Sequence, residues 1–245
     1  RYACFEKSFN KLPKNKSVRD YDGVLATLHQ KLDHKRFSEF ARQYYKDKIY
    51  SPEIIKRSMN DFASMEDGGI YIANGDVELF PKFLIQEGMN KHRDKLVLCY
   101  SFFYLPEYCQ KLYDELGIGE VPETGEITTY EDYYLNIQTI IDELAKRTGR
   151  PLYISLGSPA DNMIYWKRQD VLYNLGLLFK VSYNQPVDEL QEMARLFENQ
   201  WNLTYLLEPM RKVILSAYNR VKDESVKDFY KLYIDRLNEI NALPQ

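Results

Sequence analysis

The chain has 245 residues, among them 21 Tyr, 12 Phe and 2 Trp, and its 33 basic and 36 acidic residues leave a net charge of −3. This balance supplies no basic field for nucleic acid, and 44% apolar with 28% charged residues is a globular rather than a disordered composition. The longest nearly continuous apolar run, 96–105, falls far short of the roughly 20 residues of a membrane helix, and three Cys make no disulfide framework.

The first 20 residues contain no apolar core of signal-peptide type. With Arg1 in first place, the chain is expected to be a processed or excised piece of a longer product. Cys4, Cys99 and Cys109 allow at most one internal disulfide, and buried free thiols are the expectation. Cysteine usage leaves the compartment open.

The N-terminal 60 residues are predicted helical. Asp22 to Leu32 sets Val24, Leu25, Leu28 and Leu32 on one stripe, and Arg36 to Tyr45 continues with Phe37, Phe40, Ala41 and Tyr44. Ser51-Pro52-Glu53 has the form of a helix start, with Ile54, Ile55, Met59 and Phe62 directed inward. The period then changes. Short branched or aromatic runs at 69–73, 95–100, 151–155 and 176–182 are predicted strands, separated by helical stretches at 80–88, 105–116 and 130–148. The expected fold is α/β: a small, mostly parallel sheet of about four strands with covering helices. Three units are expected, an N-terminal helical segment 1–65, the α/β domain 66–185 and a repeat-like C-terminal helical tail 186–245.

Asn74-Gly75-Asp76-Val77-Glu78 follows the first predicted strand, the place where open α/β sheets bind ligands. Asp76 and Glu78 could ligate a hard cation or bind a sugar hydroxyl. The plainer reading is a tight turn at Gly75, with Asp76 capping the helix that contains Pro81. Gly157-Ser158-Pro159 offers backbone amides to an anion or is a simple loop. There is no P-loop, no G-x-S-x-G and no H-E-x-x-H, so no cofactor, metal or catalytic residue is assigned. His29, His34 and His92 stand among charges and are expected at the surface. Cys99 in a strand and Cys109 on a helix are expected to be inert. Tyr44-Tyr45, Phe102-Phe103-Tyr104 and Tyr133-Tyr134 are expected to be mainly packing. Tyr165-Trp166, in the polar segment 158–170, is the aromatic pair expected to present a binding surface.

Residues 69–81 (GIYIANGDVELFP), Gln86-Glu87-Gly88 and Lys95-Leu-Val-Leu98 together resemble the segment that follows the membrane part of a large family of multi-spanning proteins. Those proteins are similar to lipid-linked-sugar glycosyltransferases, including protein O-mannosyltransferases. Asn74, Gly75, Asp76, Phe80, Pro81, Gln86 and Glu87 match the family pattern, and Glu78 stands for its second Asp. Arg93-Asp94 falls at its turn, Arg150-Pro-Leu-Tyr-Ile154 at its R-P-[IL]-Y strand and 175–181 at its later strand. Arg19-Asp20-Tyr21 resembles the approach to the domain. Leu79 replaces the family's Thr, and Phe83-Leu84 its Trp-Tyr pair.

The resemblance spans residues 50–185. It implies a soluble domain on the extracytoplasmic (periplasmic) side of a membrane, without chemistry of its own. Its partners would be the membrane-embedded half of the same protein and a glycan or protein acceptor. The alternatives are a stand-alone carbohydrate- or protein-binding protein using Tyr165 and Trp166, and a small α/β enzyme using Asp76 and Glu78. Asn74, Asp76, Glu78, Tyr165 and Trp166 are the candidate binding residues.

Overall fold

A computed structural model describes residues 17–155, 168–175 and 177–183, together with Val187 and Lys231. Apart from those two residues the expected C-terminal tail lies outside the described residues, as do Cys4 and the Gly157 loop.

Three helices come first: α1 (Val18–Gln30), α2 (His34–Lys46) and α3 (Pro52–Ala63). Their starts follow the chemistry of the sequence. Asp33 accepts the Arg36 amide at the start of α2, and the Ser51 hydroxyl accepts the Ile54 amide at the start of α3. Pro52, whose missing N–H costs nothing in a first turn, follows Ser51. Val24, Leu25, Leu28, Phe37, Ala41, Tyr44 and Phe62 are buried, as the stripes require, whereas Leu32, Ile54, Ile55 and Met59 are half-buried.

The α/β part is β1 (Ile70–Ala73), α4 (Asp76–Gly88), β2 (Leu96–Cys99), α5 (Pro106–Leu116), α6 (Tyr130–Thr148), β3 (Leu152–Ser155), β4 (Leu172–Asn174) and β5 (Leu178–Val181). A 3₁₀ turn, Tyr100–Tyr104, joins β2 to α5. Gly117 and Gly149 close α5 and α6 in the left-handed conformation that a side chain would strain. Helix α4 packs on α2, α3 and α1 and on strands β1 and β2.

The sheet order is β2-β1-β3-β5-β4. β1 pairs in parallel with β2 and β3, but β3–β5 and β5–β4 are antiparallel. The expected mostly parallel sheet of about four strands is therefore corrected to a mixed sheet of five. The last two strands follow β3 without a helical crossover among the described residues, and an antiparallel return needs none. β4, at three residues, is too short for alternation to reveal it.

Helix α4 begins at Asp76, four residues before the predicted start. Pro81 lies inside it, where the missing amide removes one bond of the ladder. Gly75, not Asp76, is the N-cap, and the Glu78 carboxylate reaches back to accept the Asn74 amide at 2.9 Å.

At the amino ends of the parallel strands, Arg150 donates to the carbonyls of Gly68 and Asp94, and the Asp94 carboxylate accepts the Gly68 amide at 2.9 Å. Gln86 donates to the carbonyls of His92 and Lys95 at 2.8 and 2.7 Å, and Glu87 pairs with Arg93 at 2.6 Å. Gln86, Glu87, Arg93, Asp94 and Arg150 thus fasten the entrances of β1, β2 and β3. Their work is structural, at the edge of the sheet opposite the Asn74 turn.

Candidate functional site at the carboxyl edge

From β1 the chain crosses to β2 on one side and later to β3 on the other, so the strand order reverses at β1. In open α/β sheets the carboxyl ends beside such a reversal form the ligand crevice. Here those ends are Ala73 and Ser155, with Cys99 in register beside Ala73. Asn74, Asp76 and Glu78 come together at this edge. Asp76 is exposed in the first turn of α4, Asn74 and Glu78 are half-buried, and Val77 between them is 61% exposed. The positive end of α4 favours their negative charge. Tyr165 and Trp166 lie outside the described residues.

Behind the turn is a buried carboxyl group that the sequence reading missed. Asp22 of α1 accepts hydrogen bonds from the Tyr44 hydroxyl at 2.8 Å and the Tyr50 hydroxyl at 3.1 Å. Burial raises its pKa to about 7; the two hydroxyls oppose that rise, and the charge of Asp76 adds to it. The same burial pushes both tyrosines up. The available signal was Asp22 itself, set among Tyr21, Val24 and Leu25 on the apolar side of its helix.

A tyrosine cluster adjoins the same edge. Tyr100 directly follows β2 and meets Tyr104 edge-on at 5.6 Å between ring centroids. Tyr104 lies 4.5 Å from Tyr133, which meets Tyr134 at 5.9 Å. All four are half-buried, and Tyr130, 83% exposed, lies one turn before Tyr133 and Tyr134 on α6. Packing was the expectation for Tyr133-Tyr134, and Tyr133 does pack against the core, with Tyr134 half-buried beside it.

The described thiols are not nucleophiles of this site. Cys99 and Cys109 are buried and free. Burial raises both, Cys109 to about 11, and the charges of Asp76 and Glu78 raise Cys99 further. No group of three or more His, Cys, Asp or Glu that could hold a metal occurs among the described residues.

The histidine expectation needs correction. His34 is exposed and bonds Glu115 at 2.9 Å, but His29 packs among Phe37, Phe83, Phe102 and Tyr108 with ring centroids 4.6–5.9 Å away. The residue is half-buried overall, but burial of its ring pushes its pKa down to about 3, with His34 adding to the shift. His92 is half-buried, stacks on Phe62 at 5.0 Å and is lowered chiefly by burial.

The chain matches no family model, no curated protein and no solved structure.

Proposed function

We propose that this chain is a non-catalytic, ligand-binding α/β domain that works with a membrane-embedded glycosyltransferase-like half on the extracytoplasmic side, and that its carboxyl edge receives a polyhydroxylated acceptor. The observation that supports this reading is that Asn74, Asp76 and Glu78 follow β1, and half-buried Tyr100 follows β2, at neighbouring strand ends beside the strand reversal. Carboxylates accept hydrogen bonds from sugar hydroxyls, and tyrosine faces stack on the apolar side of a pyranose ring. Buried thiols with raised pKa values argue against covalent catalysis by cysteine. The resemblance around the Asn74 turn supplies the membrane-associated context.

Amide chemical shifts during titration with mannose, glucose and short mannosides test the reading. Shifts should centre on 74–78 and 100–104. Asp76→Asn and Tyr133→Ala should each weaken binding about tenfold, the scale of one charge-assisted hydrogen bond or one ring contact. Sugars that leave these amides unmoved, or binding indifferent to both substitutions, would overturn it. Transfer from an activated sugar by this chain alone, abolished by Asp76→Asn, would instead favour an enzyme.

A further inference from the structure

A second concavity lies where α2 gives way to α3, separate from the carboxyl edge. It is a cleft of about 920 Å³, within the size range of small-ligand sites. Its walls are mainly apolar and aromatic: Tyr44, Tyr45, Ile49, Tyr50, Ile55 and Leu84. Lys46, Lys48 and Lys56 are the charged residues of its lining, and no carboxylate lines it, among the described residues. All three lysines are exposed, and none makes an ion pair within 4 Å with a described residue.

Two acids lie nearby in the chain without lining the cleft. Asp47 accepts from the Tyr21 hydroxyl at 2.5 Å and from Gln43 at 2.7 Å. Glu53 is held down by backbone and Ser51 hydrogen bonds, with a smaller effect of Lys56. Ser51 and Pro52, at the positive end of the 12-residue helix α3, complete the lining. An apolar floor under a rim of three lysines, none ion-paired within 4 Å to a described residue, is complementary to one class of ligand.

We propose that this cleft binds a small amphipathic anion, its apolar body on Tyr45, Ile49, Ile55 and Leu84 and its carboxylate or phosphate among Lys46, Lys48 and Lys56. The arrangement separates the two parts of such a ligand. The floor removes the body from water, while the ammonium groups remain where salt can screen them.

Calorimetric titration of the full chain with 2-naphthyl phosphate, 2-naphthoate, neutral 2-naphthol and inorganic phosphate tests this. At least one naphthyl anion should bind tenfold or more tightly than naphthol or inorganic phosphate, and its affinity should fall with salt. The stronger of the two identifies the headgroup. Lys48→Glu/Lys56→Glu should lower that affinity tenfold or more without moving the thermal midpoint, because both side chains are exposed. In amide spectra the anion should shift 45–56 and leave 74–78 in place. Equal binding of naphthol, binding that survives the double charge reversal, or shifts centred elsewhere would overturn the proposal. Tyr44 and Tyr50 of the cleft wall hold Asp22 behind the Asn74 turn, but neither the lysines nor the floor residues assigned to the anion are among the residues assigned to the sugar, so the two readings fail separately.

Discussion

Replacing Lys82 by Met should destabilise the chain by about 3–5 kcal/mol, the cost of leaving one member of a buried ion pair alone. The Lys82 side chain is 0% exposed and that of Asp61 8%, and their charges meet at 2.5 Å. The ammonium also donates to the Glu78 carbonyl at 3.1 Å and lies 4.1 Å from the centroid of the Tyr71 ring. At an effective dielectric of about 20, the attraction over that separation is roughly 6–7 kcal/mol. Several kcal/mol of desolvation per ion nearly cancels it. The pair is therefore close to neutral as a unit but costly to split. Methionine fills the lysine volume and leaves the Asp61 carboxylate without its cation. Lys82→Met/Asp61→Leu should recover most of the loss, giving a coupling of about 2 kcal/mol or more in a double-mutant cycle. Urea denaturation followed by circular dichroism measures all three variants. A loss below about 1 kcal/mol for Lys82→Met, or a double variant as poor as the summed singles, would refute the reasoning.

Asp22 gives a pH-dependent prediction. Its folded pKa of about 7 lies above the ordinary carboxylate value, so the folded state holds the proton more tightly. Its stabilisation is complete below about pH 4 and is lost as pH rises toward 7. In Asp22→Asn this contribution to the pH slope of the urea midpoint should vanish; an unchanged slope would contradict the assignment. Gly88→Ala, ordinarily helix-stabilising by about 1 kcal/mol, should instead destabilise by about 1–3 kcal/mol. The new Cβ would lie 2.5 Å from Cβ and Cγ of Tyr45 where α4 crosses α2. A raised melting temperature would show that the helices separate easily. Iodoacetamide at pH 8, with mass-spectrometric mapping, should leave Cys99 and Cys109 unmodified in the native chain and alkylate both in urea; rapid native labelling would contradict their burial.

Helix positions were legible because stripes such as Val24-Leu25-Leu28 and caps such as Ser51-Pro52 are local devices. β1, β2, β3 and β5 were legible as apolar runs bounded by turns. Strand direction was not, because pairing is decided between segments far apart in the chain. Nothing within 178–181 distinguishes a partner running one way from a partner running the other. At the site, the Asn74 turn was recognised from its place after an apolar run. Asp22 and the Tyr100–Tyr104–Tyr133 contacts were hidden, since α1 meets α2, and the 3₁₀ turn meets α6, only through tertiary packing. His29 misled for a related reason. Charged neighbours in sequence say little about a ring that a helix turns toward Phe83 and Tyr108.

The central position of β1 bears on how the protein emerges from a ribosome. Its first partner, beginning at Leu96, arrives soon after it, but its second, beginning at Leu152, is made only after α5 and α6. At roughly 5–20 residues per second, the far edge of β1 waits on the order of 3–10 s after β2 is complete. During that interval Ile70-Tyr-Ile-Ala73 presents unpaired backbone and apolar side chains on a strand that ends up enclosed on both sides. Such an edge is a template for mispairing with another nascent chain. Protection in that window falls to the early-made α4, which packs on β1 and is itself covered by α1–α3.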